Sequence, residues 1–103
     1  MYRVTIVYNH PADPAAFDEH YSSKHVPLVQ QIPSVKRFAA GKCDSLDGNP
    51  PSAYALAQLY FESKAEAGQA FASPEGQNPA ADVANFASGG VTMLFTDEET
   101  VLP

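Results

Sequence analysis

The chain has 103 residues, of which 45% are hydrophobic and 17% are charged, a balance typical of one globular domain spanning residues 1–103 rather than of a disordered segment. The net charge is −6, from 12 acidic and 6 basic residues. An acidic protein releases no condensed counterions when it approaches a polyanion, so binding gains no free energy from this source. The negative charge therefore argues against nucleic acid and against an anionic membrane as partners. No apolar run approaches the roughly 20 residues that a transmembrane helix needs.

Two further features of the sequence indicate a cytoplasmic protein. The N-terminal segment Met1–Val7 is too short and alternates too regularly for a signal peptide. Cys43 is the only cysteine, so we expect no internal disulfide and no cysteine-based metal site, as suits a reducing compartment. Cys43 is interpreted more simply as a small strand residue than as a nucleophile, because Lys42 is the only basic residue that flanks it.

The first third of the chain predicts a strand followed by a helix. Residues 2–8 alternate in the way of a strand with two unlike faces. Asp13 and Pro14 are typical of a helix start, since Asp13 can accept the free N–H groups and Pro14 loses no needed donor. A stripe at helical spacing follows, made of Phe17, Tyr21, His25 and Leu28. Pro27 predicts a kink or restart near the end of this helix, and Pro33 ends it.

The rest of the chain predicts a β-hairpin, a helical region and a final strand. Residues 35–43 and 53–61 are expected to be strands joined by a turn-rich loop, and residues 91–96 a fourth strand. Two helix starts are visible, at Ser63-Lys64-Ala65-Glu66 and at Ser73-Pro74-Glu75. We expect Pro79 to interrupt the second helix, which resumes over residues 82–86 and ends at Gly89-Gly90.

The order β-α-β-β-α-β predicts an α+β, ferredoxin-like fold, in which both helices lie on one face of a four-stranded antiparallel sheet. Two helices cover only one face of such a sheet, yet the first, third and fourth strands carry large apolar side chains on both faces. A homodimer that pairs the two open faces would bury them. The alternative is that loops cover the open face, although only about nine residues separate the second and third strands.

The sequence contains none of the strong cofactor, metal or nucleophile motifs, so no cofactor and no metal ion is predicted. His20 and His25 are five residues apart, which on an α-helix places them about 140° from each other and argues against a shared metal. His20 falls off the apolar stripe and is interpreted as solvated. His10 follows the first strand and is interpreted as a solvated turn residue.

His25 is the most informative of the three histidines because it lies on the apolar stripe, just before the break at Pro27. A buried histidine of this kind is either a core residue bonded to a backbone carbonyl or a group that moves a proton. Tyr21, one turn earlier, is either a core ring or a donor to a ligand or to His25. Asp82 is a candidate base, although an exposed surface acid is the simpler interpretation.

The pattern Phe17-x3-Tyr21-x3-His25-x-Pro27-Leu28, followed by Ile32-Pro33, resembles the first-helix signature of the EthD family, in the dimeric α/β-barrel superfamily. Phe71-x-Ser73-Pro74-Glu75 and Asp82-x3-Phe86 are similar to the second half of that family. The likeness covers nearly the whole chain. In one departure, Ser34 stands where the family commonly has glycine, which affects the local turn rather than the fold.

The resemblance implies a small homodimer with a ligand cleft between sheet and helices, and a role in degradation of ethyl tert-butyl ether or a related xenobiotic beside a cytochrome monooxygenase system. Related barrels are cofactor-independent enzymes, which makes His25, with Tyr21 beside it, the candidate catalytic group. Two hypotheses stay open. The protein is either a cofactor-free enzyme in which His25 moves a proton on an apolar carbonyl compound or phenol, or a non-catalytic accessory that binds an apolar product or a partner in an ether-oxidising pathway.

Overall fold

The computed structural model describes all residues from Met1 to Pro103 and contains one four-stranded sheet. Its strands are β1 (Tyr2–Tyr8), β2 (Arg37–Lys42), β3 (Ala55–Phe61) and β4 (Val91–Asp97). They lie in the order β2-β3-β1-β4, and each neighbouring pair is antiparallel. Helices connect β1 to β2 and β3 to β4. The predicted ferredoxin-like fold is therefore confirmed.

The register of the sheet separates a helix-covered face from an open face. Val4 pairs with Leu59 on one side and with Phe95 on the other, and alternate residues along β3 are buried beneath the helices. The helices do not cover β4, so Met93 and Phe95 remain 40% and 54% exposed although they lie on the helix-covered face. An apolar groove is left between this strand and the helices.

The connection between β1 and β2 is a helix with a widened turn. It consists of α1 (Pro14–His20), a π-helical turn (Tyr21–His25) and α2 (Val26–Val29). The Asp13 carboxylate accepts from the Ala16 N–H at 3.1 Å, which confirms the predicted start. The Val26 N–H donates to the carbonyl of Tyr21, five residues back. The interruption expected near Pro27 is thus a widened turn just before the proline, through which the helix continues.

The connection between β3 and β4 contains α3 (Lys64–Ala72) and α4 (Pro74–Phe86). The hydroxyl of Ser63 accepts from the Glu66 N–H, and that of Ser73 accepts from the Gly76 N–H, so both predicted helix starts are confirmed. The expected interruption at Pro79 is wrong, because α4 runs through it without a break. An interior proline costs about 3 kcal/mol, and the burial of Pro79 against the sheet side offsets part of that cost.

The open face carries one large aliphatic side chain on each of three strands, namely Val7, Leu56 and Leu94, together with the Tyr60 ring of β3. Polar neighbours such as Thr5 and Gln58 alternate with them along the strands, so the open face is mixed rather than continuously apolar. No loop covers Leu94, which is 50% exposed. None of the helices is long and apolar enough to cross a membrane.

Candidate functional site

His25 ends the π-helical turn and points into the layer between helices and sheet, where its exposure is 2%. Its Nδ1 lies 3.0 Å from Oδ2 of Asp82 on α4. Its Nε2 lies 3.5 Å from the hydroxyl of Tyr8, which ends β1 and is 1% exposed. Side chains from three separate elements therefore meet at one buried imidazole.

Asp82 is the centre of the polar cluster. Its exposure is 8%, and its second oxygen, Oδ1, lies 2.9 Å from Nε2 of His20 and accepts from the Asn85 amide at 3.0 Å. The carboxylate is thus bonded by two imidazoles and one amide. A buried carboxylate with this many donors is fully satisfied, as a buried charge must be.

The π-helical turn explains why both histidines reach one carboxylate. Residues five apart on an α-helix point about 140° away from each other, but the i to i+5 bonding of a π-helix brings them one turn apart on the same side. His20 and His25 flank this turn and both face Asp82. The expectation that His20 is solvated is therefore wrong, because it assumed an unbroken α-helix.

The electrostatics of the cluster fix the protonation states near neutral pH. Burial lowers the pKa of His25, and the bond to Asp82 only partly opposes this, so the imidazole is neutral. Burial opposes the charge on Asp82, yet its pKa stays below the ordinary value because Asn85 and the two imidazoles donate to it. The anionic carboxylate can only accept a hydrogen bond from the neutral His25, so Nδ1 carries the hydrogen and Nε2 the lone pair.

The hydroxyl of Tyr8 faces the lone pair on Nε2 of His25. Burial raises the pKa of its hydroxyl far above the ordinary value, with Tyr21 and Asp82 adding to the effect, so the phenol stays protonated. The 3.5 Å separation from Nε2 is at the outer limit of a hydrogen bond, so this hydroxyl is held loosely. Tyr8 and His25 thus present one donor and one acceptor side by side.

These two groups line an inner cavity of about 60 Å³ between helices and sheet. The groove beside β4, with a volume of about 720 Å³, adjoins it and is lined mostly by apolar side chains. Four residues belong to both spaces and form the neck between them, namely Phe71, Gly76, Ala80 and Met93. A Cβ on Gly76 would overlap the backbone at Ala70, so glycine is needed for α4 to approach α3 this closely. The polar cluster therefore lies at the inner end of an apolar groove.

Tyr21 lies beside His25 but does not bond to it. Its ring centroid is 5.6 Å from that of His25, and it stacks on Phe17 at 5.9 Å. It lines a different cavity, of about 150 Å³, toward β2. Burial raises the pKa of its hydroxyl. The Tyr21 ring packs against the side of the His25 imidazole. The hydroxyl that faces His25 is that of Tyr8.

The remaining sequence candidates lie elsewhere. His10 is exposed and its Nε2 lies 2.8 Å from the carbonyl oxygen of Pro51, away from the cluster. Cys43 is a half-buried free thiol. No group of three or more His, Cys, Asp or Glu side chains has an arrangement that could hold a metal ion.

The sequence interpretation did not predict that Asp82 and Tyr8 are buried partners of His25. Asp82 was expected at the surface, but it is buried, and the spacing of Pro79, Asp82 and Phe86 on one helical face was the available signal. Tyr8 resembled an ordinary core ring, and nothing in the alternation of β1 distinguishes a tyrosine whose hydroxyl meets a histidine 17 residues later.

The comparison with protein families decides the classification, because the model of the EthD domain matches residues 9–90. The chain belongs to the EthD family. It is 99% identical, over all 103 residues of both chains, to a Rhodococcus erythropolis protein described as an 11.0 kDa protein in the thcB–thcC intergenic region.

Two solved structures show the same fold. An ethyl tert-butyl ether D family protein from Bacillus halodurans is 26% identical, with 96% of this EthD chain and 99% of that chain covered and a TM-score of 0.90. A dimeric ferredoxin-like protein from a Jannaschia species is 12% identical, with 95% and 100% covered and a TM-score of 0.71.

Proposed function

We propose that this EthD-family protein binds a small apolar ligand in the groove between β4 and the helices and carries out cofactor-independent acid/base chemistry on it at His25. The observation that carries the proposal is the place of the Asp82–His25–Tyr8 cluster at the inner end of an apolar groove. Apolar pockets with a few convergent polar groups of shifted pKa are typical of ligand and active sites.

The chemistry follows from the protonation states. The neutral imidazole of His25 accepts a proton from the ligand at Nε2. Asp82 then stabilises the imidazolium through Nδ1, as a carboxylate bonded to a catalytic histidine does. Tyr8 donates to a ligand oxygen on which negative charge develops. Tyr21 packs against the imidazole and takes no proton in this scheme.

The pathway assignment rests on family membership. Similarity to an ethyl tert-butyl ether D family protein supports a role in degradation of this ether or of a related xenobiotic. The alternative is a non-catalytic accessory that binds an apolar product or supports a cytochrome monooxygenase system. The observation that favours this alternative is the exposure of the apolar residues Met93 and Phe95 on β4. Such a surface suits a protein partner as well as a ligand.

The test is complementation in cells that consume ethyl tert-butyl ether through an EthD-dependent pathway. His25→Gln should keep a folded protein, since Gln retains a donor for Asp82, and should lower consumption about 100-fold or more. His10→Gln is the matched control, because His10 is exposed and bonds only a backbone carbonyl. Tyr21→Phe should leave most of the activity. Melting curves of each variant separate loss of fold from loss of chemistry.

The outcome that contradicts the acid/base assignment is unchanged ether consumption in His25→Gln. If, in addition, charge introduced at the exposed Phe95 abolished consumption, the accessory alternative would explain both results.

We also propose that the protein is a homodimer in which the open sheet faces meet. The solved structure from the Jannaschia species is of a dimeric ferredoxin-like protein, which supports this assembly. Val7, Leu56 and Leu94 provide the apolar contacts on an otherwise mixed face. A second copy matches such a face by symmetry, since a twofold interface pairs each patch with itself.

A further inference from the structure

The space around His25 has two parts of very different size. The groove beside β4, at about 720 Å³, lies within the range of about 300–1,000 Å³ that ligand pockets occupy. The inner cavity, at about 60 Å³, is far smaller than the cavity of about 150 Å³ that accommodates benzene. A ring therefore fits the groove but not the inner cavity.

The almost fully buried polar groups are confined to the inner end. Only Tyr8 and His25 present a donor and an acceptor to the inner cavity, and both are almost fully buried. The polar groups of the groove are less buried: Lys64 and Gln77 are exposed side chains on its helical wall, and Tyr2 is half-buried. A ligand that satisfies the buried pair must therefore carry its oxygen at a slender end.

We infer that the ligand is an unbranched aliphatic alcohol or aldehyde, whose chain lies in the groove and whose oxygen reaches Tyr8 and His25 through the neck. A carbonyl oxygen accepts from the Tyr8 hydroxyl, and an alcohol can also donate to Nε2 of His25. Oxygen at a terminal, unbranched carbon is the one arrangement that fits the volume and the donor–acceptor pair together. The inference rests on the proposed function and names its ligand class.

Ala80 sets how far a ligand can enter. It lies in the neck, on the helical face toward β4, and its methyl group is the smallest side chain there apart from Gly76. Ala80 is exposed to the groove, so a larger residue can be accommodated without overpacking the core. Leucine at this position should close the neck and leave the outer groove in place.

The experiment follows the imidazole signals of His25 and the methyl signal of Met93 by NMR during titration with 1-octanol, octanal, octane and cyclohexanol. Saturable shifts of both signals are expected with 1-octanol or octanal. Octane should shift only the Met93 methyl, and cyclohexanol should leave His25 unchanged. Ala80→Leu should weaken 1-octanol binding at least ~10-fold by blocking the neck. Ala81→Leu, on the exposed side of the same helix, is the matched control and should bind normally.

Three results are distinguishable. If cyclohexanol shifts His25 as strongly as 1-octanol does, the ligand class is wrong while the polar site at His25 stands. If 1-octanol shifts Met93 but never His25, and octanal behaves alike, both the ligand class and the proposed role of His25 are overturned. If Ala80→Leu binds as tightly as the native chain, the path through the neck is wrong.

Discussion

The Asp82 carboxylate bonds two imidazoles, that of His25 through Oδ2 and that of His20 within reach of both oxygens, and the consequences differ for each histidine. His25 is 2% exposed and is kept neutral by burial, whereas the side chain of His20 is 22% exposed and borders solvent. The cluster therefore runs from the buried Tyr8 hydroxyl through His25 and Asp82 to the surface. Through this hydrogen-bonded network, a His25 imidazole that has taken up a proton stays bonded to Asp82, which lies on its solvent side.

The first prediction concerns stability and pH. The folded pKa of His25 lies below its unfolded value of about 6.5, so between these two values the unfolded chain binds the extra proton. The free energy of unfolding should therefore fall as the pH is lowered below about 6.5. Above this pH, the contribution of the neutral His25 to stability should be complete. Urea unfolding of the native chain and of His25→Gln, at about pH 5 and about pH 8, measures this dependence.

His25→Gln should lose this part of the slope, whereas His10→Gln should keep it, because His10 is exposed. An identical slope in the native chain and in His25→Gln would show that His25 is not held neutral by the fold.

The second prediction concerns the coupling between the two histidines. Besides the larger effect of burial, charge repulsion from His20 lowers the pKa of His25. His20→Gln removes that charge and leaves an amide that can donate to Asp82, so the pKa of His25 should rise. NMR titration of the His25 imidazole measures it. A fall in this pKa would instead mean that His20 mainly keeps Asp82 in place.

At the residue scale, the sequence identifies His25 because an ionisable group on an apolar stripe is visible in one helix. It does not identify the partners of His25, since Tyr8 and Asp82 lie 17 and 57 residues away and meet it only through tertiary packing. Helical spacing and the resemblance to the family both indicate Tyr21 as the hydroxyl beside His25. The Tyr21 and His25 rings are in contact in the structure, and the hydroxyl that lies next to the His25 imidazole is that of Tyr8 on β1.

At the scale of elements, the turn after the first helical segment carries a measurable irregularity. Ser34 adopts a φ of 67°, in the left-handed region that costs a non-glycine residue about 1–2 kcal/mol. This is the position where the family commonly has glycine. The turn thus forms with serine at this position, and the left-handed backbone conformation lowers the stability of the fold.

The third prediction follows from this turn. Ser34→Gly removes the cost of the left-handed backbone conformation. It also raises the conformational entropy of the unfolded chain, which lowers the free energy of unfolding by about 0.4–1 kcal/mol. The net effect should be a gain of roughly 0.5 kcal/mol in the free energy of unfolding, measured by urea titration. Ser52→Gly is the control and should destabilise slightly, since the backbone at Ser52 is not left-handed. A loss of stability in Ser34→Gly would show that the serine side chain supports the turn.

Helix starts and strand alternation were predictable because caps and periods are local signals. The strand boundaries differ from prediction by a few residues, most at β2, which begins at Arg37 rather than at residue 35. The π-helical turn and the continuation of α4 through Pro79 were not predictable. Both depend on tertiary contacts, since the turn faces Asp82 and the proline is buried.

At the scale of the whole molecule, the order of elements was enough to predict the ferredoxin-like sheet. Two helices on one face leave the other face without cover, and the structure shows Leu94 half exposed at that surface. Burial of this face against a second copy also keeps the groove free, because the groove lies on the opposite, helix-covered face. In the proposed assembly, the dimer interface and the proposed ligand groove are therefore separate surfaces.

The fourth prediction is that the protein sediments at about twice its 11.0 kDa chain mass at micromolar concentration. Leu94→Glu should yield monomers, because it would bury a carboxylate from each copy in the proposed interface. Leu46→Glu, in an exposed loop, is the control and should stay dimeric. A stable monomer of the native chain in analytical ultracentrifugation would contradict the proposed assembly.

The proposed chemistry depends most on one lone pair, that of Nε2 in His25. Nitrogen-15 NMR of the imidazole at neutral pH measures the protonation of both ring nitrogens directly. The expected result is a neutral ring with hydrogen on Nδ1, which donates to Asp82, and an unprotonated Nε2 that faces Tyr8. An imidazolium at neutral pH, or a neutral ring with hydrogen on Nε2, would leave no base at the end of the groove and would contradict the assignment.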